Sequence, residues 1–140
     1  MNVKNSFPPN YEEIKSKFDL EKQKPVFTYG STLYNPHMIT IPEDLLIHES
    51  IHGEQQKHDD TIAKLWWQRY IEDTKFRIDQ EIEAYGFQYA FICQKIKDRN
   101  MRFKYLHQFA IMLSSKMYGN AIGYNEAKRL IWKKSGMDKK

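Results

Sequence analysis

The sequence predicts a single, mostly helical α+β domain in which a short two- or three-stranded sheet packs on one of the helices. A length of 140 residues suits one hydrophobic core. Apolar residues make up 41% of the chain, and beyond residue 40 they recur at the spacing of amphipathic helices. Two runs, residues 25–29 and residues 37–41, are instead rich in β-branched or aromatic side chains, which is typical of strands.

Each predicted element follows from a local signal. Residues 1–10 form an irregular lead-in, and Asn10 precedes a short helix that ends near Leu20. Thr40 and Glu43 have the spacing of a capping box, so a helix is expected through about Lys57. The later helices are expected to begin, in order, at Asp59 or Asp60, at Asp73 or Thr74, at Asp98 and, after a loop over residues 114–123, at Tyr124, with a basic tail at residues 135–140.

Composition argues against several classes of protein. The lone cysteine, Cys93, lies in an apolar run and is expected to be a buried thiol. A net charge of +4 is too small and scattered to predict a nucleic-acid surface. The sequence shows no long uncharged apolar run and no signal peptide, so we expect a cytoplasmic protein with no membrane or nucleic-acid partner and an open oligomeric state.

One motif in the helix predicted after residue 40 carries chemistry. His48, Glu49 and His52 form the pattern HExxH. Residues four apart lie on one face of a helix, so the two imidazoles can converge on one metal ion. Zinc accepts such a pair, and Glu49 is placed to act as a general base toward a water molecule. The sequence therefore predicts zinc as the cofactor, His48 and His52 as ligands and Glu49 as the catalytic residue.

A third ligand must come from another part of the chain, because catalytic zinc usually has three protein ligands. The histidines are weak candidates, since a lone histidine usually has a structural role; they are His37, His58 and His107. Glu81 and Glu83 lie among apolar residues of the next long predicted helix, where a buried carboxylate is costly unless it is paired or metal-bound. One of these two glutamates is the expected third ligand.

The same residues resemble the gluzincin metallopeptidases, in which a helical HExxH motif is followed by a glutamate on a second helix. Residues 81–84 (EIEA) are similar to the second family motif, with Glu81 in the ligand position. Tyr85 stands where the family commonly has an aspartate that orients a ligand histidine. Glu83 and Asp79 are candidates to replace that aspartate, and Glu83 and Tyr85 are each expected either to orient a ligand histidine or to be an alternative ligand.

The resemblance extends to the architecture. The short single-domain minigluzincins are similar in architecture, and the segments HESIHGEQQ, WWQRY and QEIEAYGFQ look like those of small zincin-like proteins from phages and prophages. The resemblance implies a zincin-like fold, a strand at residues 38–41 that aligns an extended substrate, and an association with phage. An oxyanion donor is also implied, with Tyr85, His107 and Tyr118 as the candidates.

Two functions follow from this resemblance. The first is a zinc metallopeptidase that hydrolyses peptide bonds in peptide or protein substrates. The alternative is a non-catalytic zincin-fold subunit with a structural or binding role, for example in a phage particle. The intact Glu49 favours the first function, because a structural zinc site needs no general base and closes with four protein ligands.

Overall fold

The computed structural model describes residues 1–20 and 22–140, and it confirms the mostly helical α+β class. In this part of the chain the strands are β1 (Asn2–Lys4), β2 (Phe27–Tyr29) and β3 (Thr32–Tyr34). The helices are α1 (Tyr11–Lys17), α2 (Glu43–Gln55), α3 (Asp60–Glu72), α4 (Thr74–Lys95), α5 (Arg99–Leu113) and α6 (Tyr124–Ser135). Short 3-10 turns follow at Lys116–Tyr118 and Met137–Lys139. Every helix in the described residues is too short or too polar to cross a membrane.

Three helices begin at the aspartates that the sequence predicts as caps. The carboxylates of Asp59, Asp73 and Asp98 accept hydrogen bonds from backbone N–H groups in the first turns of α3, α4 and α5. These bonds satisfy donors that a helix start leaves unpaired. The capping box predicted at Thr40 is wrong, because α2 begins at Glu43 with no side-chain cap. A proline at position 42 disfavours helical geometry in the residue before it, which keeps residue 41 out of the helix.

Along the chain, β3 follows β2 more closely than the sequence pattern predicts. Gly30 adopts a left-handed conformation (φ 64°), so the chain reverses at once and β3 pairs antiparallel with β2. The strand predicted at residues 37–41 is therefore wrong. There, the Ile39 N–H donates to Asn35 Oδ1 (3.1 Å), and Asn35 Nδ2 donates to the Ile39 carbonyl (2.9 Å), which closes a loop instead of a ladder.

The lead-in predicted as irregular contains the remaining strand. β1 pairs in parallel with β3, with Val3 opposite Leu33, so the sheet order is β1-β3-β2. The Asn35 N–H extends this pairing with a bond of 2.7 Å to the Lys4 carbonyl. All three residues of β1 are exposed, so the strand shows no alternation from which it could be predicted. β2, at one edge of the sheet, contacts α2.

α4 is the helix around which the other helices are arranged. It contacts α2, α3, α5 and α6. Its buried positions recur every three or four residues and form one continuous face; they include Ile78, Glu81, Tyr85, Gln88 and Ile92. Three of these five side chains carry polar groups. Buried polar groups require hydrogen-bond partners. His48 of α2 is a partner for two of these groups, those of Glu81 and Gln88.

The contact between α4 and α6 is formed by small and apolar residues. α6 buries Ala127 and Ile131 completely. Gly86 of α4 permits a close approach, because a Cβ at this position would lie 2.6 Å from Cγ of Lys134. The predicted buried thiol is confirmed, since Cys93 is only 2% exposed.

Candidate metal centre and active site

Two histidines and a glutamate meet between α2 and α4. The Nε2 atoms of His48 and His52 lie 3.2 Å apart on α2. Glu81 Oε1, on α4, lies 3.0 Å from His48 Nε2 and 3.2 Å from His52 Nε2. The three side chains are buried, and so is Glu49 beside them. Ligand atoms of His48, Glu49 and His52 lie within 4.8 Å of one another, so this buried group could hold a metal ion.

A glutamine and an aspartate orient His48. Gln88 Nε2 donates to Asp44 Oδ2 (2.8 Å), and Gln88 Oε1 lies 2.9 Å from His48 Nδ1. Because an ionised carboxylate only accepts hydrogen bonds, the amide nitrogen must face Asp44 and the amide oxygen must face His48. An amide oxygen also only accepts, so Nδ1 of His48 carries a proton. Nε2 is then the ring nitrogen that faces Glu81 and His52.

His52 is oriented in the same way by a second glutamine. Gln55 Oε1 lies 2.8 Å from His52 Nδ1, and Gln55 Nε2 donates to Glu83 Oε1 (2.9 Å) and to the Gln80 carbonyl (3.1 Å). Glu83 therefore reaches the histidine pair only through Gln55. Carboxylates linked to ligand histidines in this way fix the tautomer and the ring orientation.

Glu81 is held as a carboxylate. The Tyr70 hydroxyl donates to Glu81 Oε2, which leaves Oε1 for the histidines. Burial would raise the pKa of Glu81, but the charge of His52 and hydrogen bonds from both histidines outweigh it and hold this pKa well below its usual range. Conversely, burial would lower the pKa of His52, but the charge of Glu81 and its hydrogen bond raise that pKa to about 9. In the metal-free protein at neutral pH, His52 thus carries a proton that faces Glu81.

Glu49 lies next to this cluster with a different set of contacts. Thr28 Oγ1, from β2, donates to Glu49 Oε1 (2.9 Å), while Glu49 Oε2 lies 3.8 Å from His48 Nε2. Burial raises the pKa of Glu49, although the nearby charges of His52 and His48 oppose the increase. Its carboxylate is therefore fixed in orientation and has a raised affinity for a proton.

Two side chains hold β2 beside α2 through hydrogen bonds. Gln56, which is fully buried, donates from Nε2 to the Thr28 carbonyl (3.2 Å) and accepts from the Gly30 N–H (2.7 Å). Trp67 Nε1 donates to the same Thr28 carbonyl (3.0 Å). These bonds set the position of the Thr28 hydroxyl on Glu49. The strand next to the HExxH helix is thus β2, and the prediction that residues 38–41 are the substrate-aligning strand is wrong.

Two cavities open onto His48 and Glu49, and the first of them also reaches His52. The first, of about 70 Å³, extends toward Trp66, Trp67 and Tyr70 of α3. The second, of about 250 Å³, extends toward Leu45, Phe109 and Met112. The two cavities have six lining residues in common: Pro25, Val26, His48, Glu49, Met117 and Tyr118. A ligand could therefore reach the cluster along a cleft that passes between residues 25–26 and the turn Lys116–Tyr118.

Of the proposed oxyanion donors, the structure brings Tyr118 and Tyr85 to the site. Tyr118 lines both cavities, and its hydroxyl lies 2.9 Å from that of Tyr85, whose ring packs on His48 (4.4 Å between ring centroids). Burial raises the pKa of both tyrosines, so both keep their protons. His107 lies elsewhere on α5, where its Nδ1 is 2.5 Å from the Tyr124 hydroxyl.

The weaker ligand candidates lie outside the cluster. The ring of His37 packs against Phe7 at 6.0 Å, and His58 is exposed beyond the end of α2. Asp79 pairs with Lys75 on the surface of α4 (2.9 Å), so it does not orient either histidine. Glu83 and Asp44 are instead the carboxylates linked to the two histidines, each through a glutamine.

Sequence reasoning missed several residues that shape the site. Gln88 follows Glu81 by seven residues and Gln55 follows His52 by three, and both spacings place the pair on one helix face; a search for amides at such spacings would have found them. Thr28 and Tyr70 give no such signal, because their contacts depend on how β2 and α3 pack. Arg77, also buried, donates from Nε to the Tyr118 carbonyl (3.2 Å) and so positions that residue.

Comparison of the chain with protein-family models, with curated proteins and with solved structures finds no match. The chemistry of the site is therefore inferred from its own geometry.

Proposed function

We propose that this protein is a zinc-dependent hydrolase that cleaves peptide bonds in peptide or protein substrates. The observation that carries the proposal is the convergence of His48, His52 and Glu81 beside a separate carboxylate, Glu49, at a cleft. Three protein ligands with space beside them are typical of catalytic zinc, whereas structural zinc has four. A general base within reach adds the second requirement of hydrolysis.

The donor atoms present suit zinc. They comprise two imidazole nitrogens and one carboxylate oxygen, separated by 3.0 to 3.2 Å. Ligand atoms at about 2.0–2.1 Å from a tetrahedral zinc ion lie about 3.3 Å from each other, so only a small adjustment is needed. Calcium and magnesium prefer sites built of oxygen atoms alone.

Several residues of the site have distinct roles in the proposed hydrolysis. When bound, zinc supplies a Lewis acid that polarises a carbonyl and lowers the pKa of a water molecule to about 7. Glu49 accepts the proton of that water, and its raised pKa brings it closer to the range that suits a general base near neutral pH. Thr28 keeps the Glu49 carboxylate aimed at the site. Tyr118, protonated and at the cleft, would donate a hydrogen bond to the developing oxyanion.

Removal of the metal tests this function. Protein loaded with one zinc per chain, as measured by elemental analysis, should cleave members of a broad peptide library. A chelator should abolish cleavage, and added zinc should restore it, because the Lewis acid is required for the reaction. Mass spectrometry of the library measures the products. If correctly folded, zinc-loaded protein cleaves neither peptides nor cell-wall cross-bridges, the proposal is refuted and the non-catalytic subunit is favoured.

Zinc affinity should depend on pH. Because the pKa of His52 is raised to about 9 in the metal-free protein, zinc must displace a proton from Nε2 at every pH below that value. The apparent Kd should therefore fall about tenfold for each pH unit up to about 9 and then level off. Calorimetry in buffers of different ionisation enthalpy should detect about one proton released at neutral pH. An affinity that does not change with pH would show that zinc does not bind this histidine.

A further inference from the structure

The charges of the chain are separated along its length. Residues 95–140 contain 12 Lys and Arg against three Asp and Glu, a net charge of +9. Residues 1–94 contain ten basic and 15 acidic residues, a net charge of −5. The modest total of +4 hides this asymmetry. The metal cluster lies in the acidic part, so the basic part needs a separate explanation.

Part of the basic region surrounds a recess of about 520 Å³, here named the α5–α6 recess. Four basic residues line it: Lys97, Arg99, Arg102 and Lys140. The other lining residues are aromatic or aliphatic: Tyr89, Phe103, Leu106, Trp132 and Met137. Among the residues that the structure describes, none that lines the recess has a carboxylate side chain. Of the described residues, none lines both the recess and either cavity at the metal cluster.

The cations of the recess differ in their other contacts. The Arg102 side chain stabilises the fold, because it donates from Nε to the Ile96 carbonyl and from a terminal nitrogen to the Cys93 carbonyl (both 2.6 Å). Arg99 is exposed and makes no ion pair or hydrogen bond through its side chain within the described residues. Lys97 is exposed and makes one long contact with the Cys93 carbonyl (3.4 Å). Within the part of the chain that the structure describes, Lys97 and Arg99 therefore form no ion pair with a carboxylate.

The aromatic side chains are exposed beside these cations. Trp132 is 43% exposed and Phe103 is 53% exposed, whereas Trp66 and Trp67 are buried. Lys128 Nζ lies 5.6 Å from the centre of the Phe103 ring, which adds a further cation at the rim. Exposed cations beside partly exposed rings match the phosphates and bases of a single strand.

We propose that the α5–α6 recess binds single-stranded nucleic acid, with phosphates at Lys97 and Arg99 and an unstacked base against Trp132. The concave shape of the recess favours this ligand over an anionic membrane, because a membrane-binding helix lies in the plane of the interface with its apolar face buried in it. It also favours a single strand over a duplex, since only unstacked bases offer their faces. This inference is independent of metal binding and of hydrolysis.

The test measures fluorescence anisotropy of a labelled oligothymidylate of roughly 12 nucleotides. The affinity should fall with salt, with a log–log slope of roughly −3 for about four neutralised phosphates. Lys97→Glu with Arg99→Glu should weaken binding by at least about tenfold. The matched control is Lys15→Glu with Lys64→Glu, which makes the same change of charge at exposed positions in the acidic part and should have little effect. Trp132→Leu should weaken binding about five- to a hundredfold and abolish quenching of the exposed tryptophan.

Other results would overturn the proposal. Equal losses from the two charge-reversal pairs would indicate nonspecific attraction, and an unchanged affinity of Trp132→Leu would exclude base stacking. Binding to vesicles containing anionic phospholipid, without binding to the oligonucleotide, would assign the recess to a membrane surface. Circular dichroism of each variant separates loss of binding from loss of fold.

Discussion

Glu49→Gln should keep the fold and one zinc per chain, yet lower kcat for peptide hydrolysis about 10²- to 10⁴-fold. The substitution preserves the shape of the side chain, and the glutamine oxygen can still accept from the Thr28 hydroxyl. It removes only the capacity to take a proton. Because Glu49 lies beside the His48, His52 and Glu81 cluster and is not one of its three converging groups, metal binding and turnover should separate at this residue.

Two further variants sharpen this experiment. Glu54→Gln, on the exposed side of the same helix, makes the same chemical change and should leave kcat unaltered. Tyr118→Phe should lower kcat about 10²-fold with little change in KM, because it removes an oxyanion donor and leaves the base in place. If Glu49→Gln retains zinc and turns over at the wild-type rate, another group accepts the proton and the mechanism proposed above is wrong.

The parts of the fold that could be predicted are those with local signals. The aspartate caps at Asp59, Asp73 and Asp98 act within one helical turn, so their sequence pattern is sufficient to locate α3, α4 and α5. The HExxH spacing likewise sets the relation between His48 and His52 within one helix. Both kinds of prediction depend on contacts between residues at most four apart.

The strands and the outer contacts of the site could not be predicted because they depend on distant parts of the chain. β1 is exposed along its whole length and exists only because it pairs with β3, some 30 residues later. The residues 37–41 have a strand-like composition, but two hydrogen bonds to Asn35 hold them in a loop. Likewise, the link from Asp44 through Gln88 joins positions that are 44 residues apart.

Glu81→Gln should weaken zinc binding more than about 100-fold, whereas Glu83→Gln should weaken it only about 10- to 100-fold at most. Glu81 Oε1 faces both histidines directly, so its loss removes a candidate ligand. Glu83 acts through Gln55, whose amide keeps a second acceptor in the Gln80 carbonyl when Glu83 is replaced. Competition titration against a chelator of known affinity measures both variants.

A second measurement on the metal-free Glu81→Gln protein makes this comparison independent of zinc. The charge of Glu81 is what raises the pKa of the buried His52 to about 9, so without that charge the burial of the imidazole prevails and the pKa should fall. NMR titration of the His52 ring can follow the change, and Glu83→Gln should leave it nearly unaltered. If Glu83→Gln instead abolishes zinc binding while Glu81→Gln retains full affinity, Glu83 is the ligand and the geometry of the metal-free site does not represent the metal-bound one.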